Sequence, residues 1–223
     1  MLEYTAIVVA GGSSKRLGQD KPLLMVGNKP LLLHVLDRVS TVVNERIVVA
    51  KNEQQKNAFE KIVNDKTNVL VDEYQIQTPL AGAYTGFQHA RNEYALLLSS
   101  DTPFINTEIA RLLLDVCIHK AATVPRWPEG HLEPLQAAYQ TKTALTAAKT
   151  ALDAGELNML SMLNRMRNIR YISTIVLRQL DPKLHTFFNI NTEADLKKAE
   201  MLLKITNHKK RDSRGREWWK KSK

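Results

Sequence analysis

The chain has 223 residues, 43% of them hydrophobic and 25% charged, which excludes a disordered or low-complexity protein and suffices for one substantial core. The formal charge of +9 does not describe a nucleic-acid-binding face: from Lys204 to Lys223 nine Lys or Arg stand against Asp212 and Glu217, and the first 203 residues carry only +2. No apolar run approaches the roughly 18 residues of a membrane span, and the first ten residues lack a basic, cleavable signal, so a cytoplasmic protein with no membrane span is expected.

In chain order, residues 4–10 are a β-branched apolar run ending in Gly11-Gly12, and residues 29–43 follow with helix-period apolar positions, a strand–loop–helix opening. The pattern repeats. Residues 46–50, 68–72 and 94–100 have the composition of buried strands, and helical stretches over 53–63, 80–91 and 106–119 follow them. Cys117, in the last of these, is the single cysteine; it can form no intramolecular disulfide and is expected to be a small buried hydrophobe. Farther on, strands are expected over 121–125, 135–139, 169–173 and 187–190, and helices over 141–154 and 158–167. A closing helix over 192–204 opens with Thr192 and Asp195, which suit its orphan amides and positive end.

Strands alternating with helices imply an α/β protein with three Rossmann-like layers and a mainly parallel sheet, whose ligands sit outside the carboxyl ends of the strands. One domain over 1–206 is expected. Residues 207–223 form a basic tail, either a solvated end or a contact for a nucleic-acid backbone or membrane surface.

The connection after the first strand reads Ala10-Gly-Gly-Ser-Ser-Lys-Arg-Leu-Gly-Gln-Asp-Lys-Pro22. Gly11 and Gly12 can aim successive amides at phosphate oxygens, and Arg16 and Lys21 supply fixed positive charge. The Gly-Lys-Ser/Thr of a Walker loop is absent and the dinucleotide Gly-x-Gly-x-x-Gly spacing fails, so this is an anion cradle of another type.

That segment, with Val9 before it and Gly27-Asn-Lys-Pro-Leu after it, resembles the molybdenum-cofactor guanylyltransferase signature L-A-G-G-x-S-x-R-M-G-x-D-K; Val9 and Leu17 are the mild departures. Thr78-Pro-Leu-Ala-Gly82, Ser100-Asp-Thr-Pro-Phe-Ile, Glu133-Pro-Leu-Gln-Ala-Ala-Tyr139 and Phe188-Asn-Ile-Asn-Thr192 extend the likeness over nearly the whole folded body. The resemblance implies a nucleotidyltransferase fold of the nucleotide-diphospho-sugar transferase type. It implies transfer of GMP from GTP to the molybdopterin cofactor, with Mg²⁺ as the metal and molybdoenzymes as acceptors of the product.

Asp101, after an apolar strand and before Thr102-Pro103, is placed to hold that Mg²⁺; a turn or helix cap is the plain alternative. By resemblance the catalytic groups are Arg16, Lys21 and Asp101, and the nucleotide is held by Val9, Ala10, Gly11, Gly12, Lys21, Asp72, Gly82 and Asp101. Asn52 is carried over with a one-residue shift, since the matching place reads Ala50-Lys51-Asn52; its plain reading is a surface polar residue. Asn189 and Asn191 are expected to alternate along a strand facing the pterin, or to shape the entry to the last helix. Arg126 and His131, in the turn around Trp127-Pro-Glu-Gly130, either meet the pterin phosphate or are solvated, and His34 and His89 are expected to pack within helices. The alternatives are cytidylyl transfer to molybdopterin, guanylyl transfer to cobinamide phosphate or nucleotidyl transfer to a sugar phosphate. From another class comes a non-catalytic protein that binds and delivers nucleotide or cofactor.

Overall fold

The structure, a computed structural model, describes residues 2–11, 20–74 and 76–205. Gly12, Arg16 and the basic stretch from 207 lie outside the described residues.

A seven-stranded sheet forms the middle layer. In spatial order it runs β5 (Thr67–Val71), β4 (Glu45–Ala50), β1 (Tyr4–Val9), β6 (Tyr94–Ser99), β8 (Gln136–Gln140), β7 (Ala122–Arg126) and β9 (Ile169–Ser173). β5, β4, β1 and β6 are mutually parallel, while β8 pairs antiparallel with both β6 and β7. The mainly parallel sheet expected from alternation is therefore present, with one reversed strand.

The pleat divides each central strand between two cores. On β1, Tyr4, Ala6 and Val8 face one side, where they meet α1 (Leu31–Val39) and α4 (Thr107–Cys117); Phe59 of α2 (Glu53–Glu60) joins the same core. Ile7 faces the other side and packs with α3 (Pro79–His89), α5 (Thr141–Asp153) and α6 (Met159–Asn164). Cys117 is fully buried in the first core, and burial pushes its thiol up to about 12, so it behaves as the small hydrophobe expected. A short helix, α7 (Thr174–Leu177), follows β9.

Several boundaries differ from expectation. The helix placed at 29–43 begins at Leu31 and ends at Val39, because residues 25–30 form a small antiparallel hairpin, β2 (Met25–Val26) with β3 (Lys29–Pro30). Gly27 turns it with φ +66°, a conformation that favours glycine. The ring of His34 meets the Val26 carbonyl at 2.9 Å and ties α1 to this hairpin.

The strand expected over 187–190 does not form. Leu184 adopts a left-handed conformation, a single 3₁₀ turn occupies His185–Phe187, and Ile190 gives its N–H to the Asp101 carbonyl at 3.0 Å instead of to a neighbouring strand. The closing helix runs from 193 to 205, and its start has the expected chemistry: Thr192 Oγ1 accepts from Asp195 N, while Asp195 Oδ2 accepts from the N–H groups of Asn191 and Thr192. It packs through Ala199 on Val26, Leu31, Phe104 and Ile190, so the C-terminal part closes over the hairpin beside the end of β6.

Candidate active site

Strands β1, β4, β5 and β6 all end at one edge, and the residues just past those ends build the site. β6 delivers Asp101. The carboxylate is fixed from both sides: Ser99 Oγ donates to Oδ1 at 2.6 Å, and Lys21 Nζ lies 2.6 Å from Oδ2. Lys21 also donates to Asn191 Oδ1 at 2.7 Å. The Lys21 and Asp101 side chains are only 13% and 17% exposed, so this pair is sheltered from screening yet open to one side.

Lys21 is held in place by local geometry. Asp20 and Pro22 bracket it in a 3₁₀ turn, Lys21–Leu23, in which Leu24 returns its N–H to the Lys21 carbonyl. Proline at the second position of the turn suits a segment whose first amides have no internal partner.

A pocket next to this cluster is lined by Val9, Gly11, Val49, Ala50, Asp72, Gln77, Thr78, Pro79 and Gly82. Its wall explains the Thr-Pro-Leu-Ala-Gly segment physically. Thr78 caps α3 by accepting from Ala81 N, Pro79 takes the first turn, and Gly82 lets the helix approach β1 closely. A Cβ at Gly82 would come within 2.8 Å of Val9 Cγ1 and lie 3.8 Å from Asp72 Oδ2. Asp72 is half-buried. Its Oδ1 accepts from Tyr74 N at 3.1 Å and Thr85 Oγ1 at 3.2 Å, and desolvation by burial nonetheless raises its pKa above the usual carboxylate value.

Among the described residues this edge thus presents the sheltered Lys21–Asp101 pair beside a pocket walled by glycine, aliphatic groups and a second carboxylate, Asp72. The MobA-like NTP transferase domain family matches residues 6–168. The chain is 34% identical over 199 residues to a probable molybdenum cofactor guanylyltransferase of Methanosarcina acetivorans, covering 86% of this chain and 88% of the relative. It is 32% identical over 197 residues to the protein of the same name in Methanosarcina mazei, with the same coverage.

The chain belongs to the molybdenum cofactor guanylyltransferase family.

Its fold agrees with that assignment: a solved structure of molybdopterin-guanine dinucleotide biosynthesis protein A from Archaeoglobus fulgidus superposes with a TM-score of 0.78 at 27% identity, covering 90% of this chain and 99% of that one. As a member of this family of nucleotidyltransferases the protein is an enzyme. Among the described residues, no helix is long and apolar enough to cross a membrane.

Within this guanylyltransferase, the residues singled out from sequence fall into three groups. Lys21, Asp101 and Asn191 meet directly, and Val9, Gly11, Asp72 and Gly82 line one pocket, with Ala10 fully buried between Val9 and Gly11. Asn52 and Asn189 stand apart. Asn52 accepts from Gln55 N as the N-cap of α2, and Asn189 is exposed on the irregular segment before the last helix, not on a strand. Gly12 and Arg16 lie outside the described residues.

Arg126 stacks over the Tyr171 ring at 5.4 Å, and His131 lies 3.7 Å from Glu133, whose carboxyl is pushed up by burial while Trp127 Nε1 donates to it at 2.7 Å. His89 Nδ1 faces the Thr85 carbonyl at 3.0 Å, a packing role like that of His34. Sequence reasoning missed Ser99, Thr85, Gln77 and Lys51. The hydroxyls carry no sequence signal of their own, and Lys51 entered only as a misalignment beside Asn52.

Proposed function

We propose that this chain transfers the GMP part of GTP to the phosphate of the molybdenum-carrying molybdopterin cofactor, releasing pyrophosphate and giving molybdopterin guanine dinucleotide. A phosphate oxygen of the pterin attacks the α-phosphorus of GTP. A new phosphorus–oxygen bond forms, the bond to the α–β bridging oxygen breaks, and its electron pair leaves with pyrophosphate. The nucleophile is already an anion, so no general base is needed, and the protein contributes alignment and charge.

The observation that carries this reading is Lys21 Nζ held between Asp101 and Asn191, because it sets a sheltered cation between the nucleotide side and the acceptor side. Lys21 meets charge that builds on the phosphates as pyrophosphate departs, and Arg16 shares that task by resemblance. The amides of Gly11 and Gly12 serve the phosphates, Val9 and Gly82 bound the base pocket, and Ala10 contributes by resemblance its backbone. Guanine carries adjacent N–H donors on N1 and N2, and Asp72 offers an oxygen at the Gly82 wall to receive them, whereas cytosine presents acceptors at the corresponding edge. A donor there also relieves the desolvated Asp72 carboxylate. Asn191 and Asn189 belong to the pterin side.

The donor set also suits Mg²⁺. One hard carboxylate, Asp101, oriented by a serine hydroxyl at Oδ1 and already drawing a cation to Oδ2, matches an ion that uses one or two protein carboxylates and takes its other ligands from phosphate and water. When bound there it would neutralise phosphate charge. The test is pyrophosphate release from GTP, CTP and ATP with magnesium and molybdopterin. GTP should be preferred; preference for CTP, or no release from any of the three, overturns the proposal.

A further inference from the structure

Lys51 occupies the first position past β4 and touches both described ends of the glycine connection, Gly11 and Asp20. Its backbone lies against one end of that connection: a Cβ at Gly11 would sit 3.5 Å from Lys51 Cβ and 3.6 Å from its Cα. Its ammonium lies at the other end, paired with the Asp20 carboxylate. One side chain therefore spans from the start of the phosphate connection to the residue before Lys21.

The Lys51 backbone is unusually well anchored for a strand end. Its N–H donates to Gln55 Oε1 at 2.8 Å, and its carbonyl accepts from Gln77 Nε2 at 2.8 Å, a residue that lines the base pocket. Gln55 is 1% exposed, and its Nε2 has no hydrogen-bond partner among the described residues. Asn52 turns its oxygen to the α2 cap, whereas the Lys51 side chain reaches Asp20.

An anchored backbone with a flexible four-carbon stem and a three-donor head suits a cation that changes partners. Lys51 is 19% exposed and Asp20 31%, so the pair opens to solvent on the side of the carboxylate. Lys21 is already divided between Asp101 and Asn191. A triphosphate arriving beside Lys51 is a polyanion and competes with one carboxylate for its ammonium.

We propose that Lys51 is a triphosphate-binding residue, held ready by Asp20 and transferred to a β- or γ-phosphate oxygen when the nucleotide arrives. The proposal rests on the GTP-dependent reading above and adds to it a residue and a partner exchange. Because the α-phosphate stays in the product while the outer phosphates leave, Lys51 distinguishes triphosphate from monophosphate and also stabilises departing pyrophosphate.

The test is calorimetric binding of GTP and GMP to the full chain and to K51A, K51M and D20N. K51M retains the stem and checks that any loss belongs to the charge. Loss of one charge-assisted contact should weaken GTP about tenfold to a hundredfold in K51A and K51M, while GMP affinity changes less than about threefold, the expectation where no charged contact is lost. D20N, which frees the lysine, should bind GTP at least as tightly as wild type. If Lys51 only braces the loop through Asp20, D20N loses as much as K51A, and the proposal falls. It falls equally if K51A and K51M bind GTP like wild type. Wild-type protein that binds no GTP at all would instead sink the reading on which the proposal rests.

Discussion

Lys21→Ala is the most direct test of the active-site geometry. The substitution removes two charge-assisted hydrogen bonds, leaving Asp101 with Ser99 Oγ as its side-chain donor and Asn191 Oδ1 without Lys21. Each such bond contributes about 1.5–3 kcal/mol when its partner stays dry. Asp101 is 17% exposed at a loop edge, and the space vacated by a lysine side chain admits water to it. The net loss of stability should therefore fall at about 1–3 kcal/mol, between the values for exposed and buried pairs. Catalysis should suffer more. Removing one donor aimed at transition-state charge lowers turnover about tenfold to a thousandfold, or about 1.4–4 kcal/mol of barrier. The assay is single-turnover pyrophosphate release at saturating GTP and magnesium with molybdopterin, beside thermal melts of both proteins. A folded K21A enzyme that turns over within about twofold of wild type, well short of the loss for one such donor, would refute the role of Lys21.

Asp72 gives a signed pH prediction. Burial raises its folded pKa, so the folded chain binds a proton more readily than the unfolded one; stability from this group is fullest below the unfolded value, near 4, and falls as pH rises toward the folded pKa. Asp72→Asn should therefore melt higher than wild type at pH 7 and lose that advantage near pH 3.5, while binding GTP more weakly; a variant less stable than wild type at pH 7 contradicts this account. Gly86 tests the packing of α3 on β1: a Cβ there would come within 2.2 Å of Ile7 Cγ2, and Ile7 is fully buried in the central strand. Gly86→Ala should destabilise by up to about 2 kcal/mol in denaturant melts, an overpacking cost of about 1–3 kcal/mol less the helix preference for alanine of about 1; a stabilised variant would mean that the helix shifts away without cost.

Much of this fold was legible because its strands are short buried runs ended by polar residues, and its closing helix carries a clear start signal in Thr192 with Asp195. What escaped reading has identifiable causes. β8 is buried on both faces, so its apolar run carries no sign of direction, and β2 and β3 are two residues each, too short for any periodicity. Residues 187–190 have strand composition, but the Ile190 amide is drawn to Asp101 by a contact 89 positions away in the chain. The site divides in the same way. Asp101 and Lys21 stood out through charge next to glycine and proline, whereas Lys51 pairs with Asp20 across 31 residues and Lys21 with Asn191 across 170, distances over which no local pattern reports.

The reversed direction of β8 shapes what this scaffold can vary. Since β7 ends and β8 begins at the ligand-bearing rim, the turn joining them stands there too, with Arg126 bridged to Leu132 and Ser99 N bonded to Leu135 O. Gln136 Nε2 reaches Thr102 Oγ1, one residue beyond Asp101. Lengthening or shortening that turn would remodel the rampart beside Asp101 while every rung of the central ladder kept its place, so the rim can change shape by loop surgery alone.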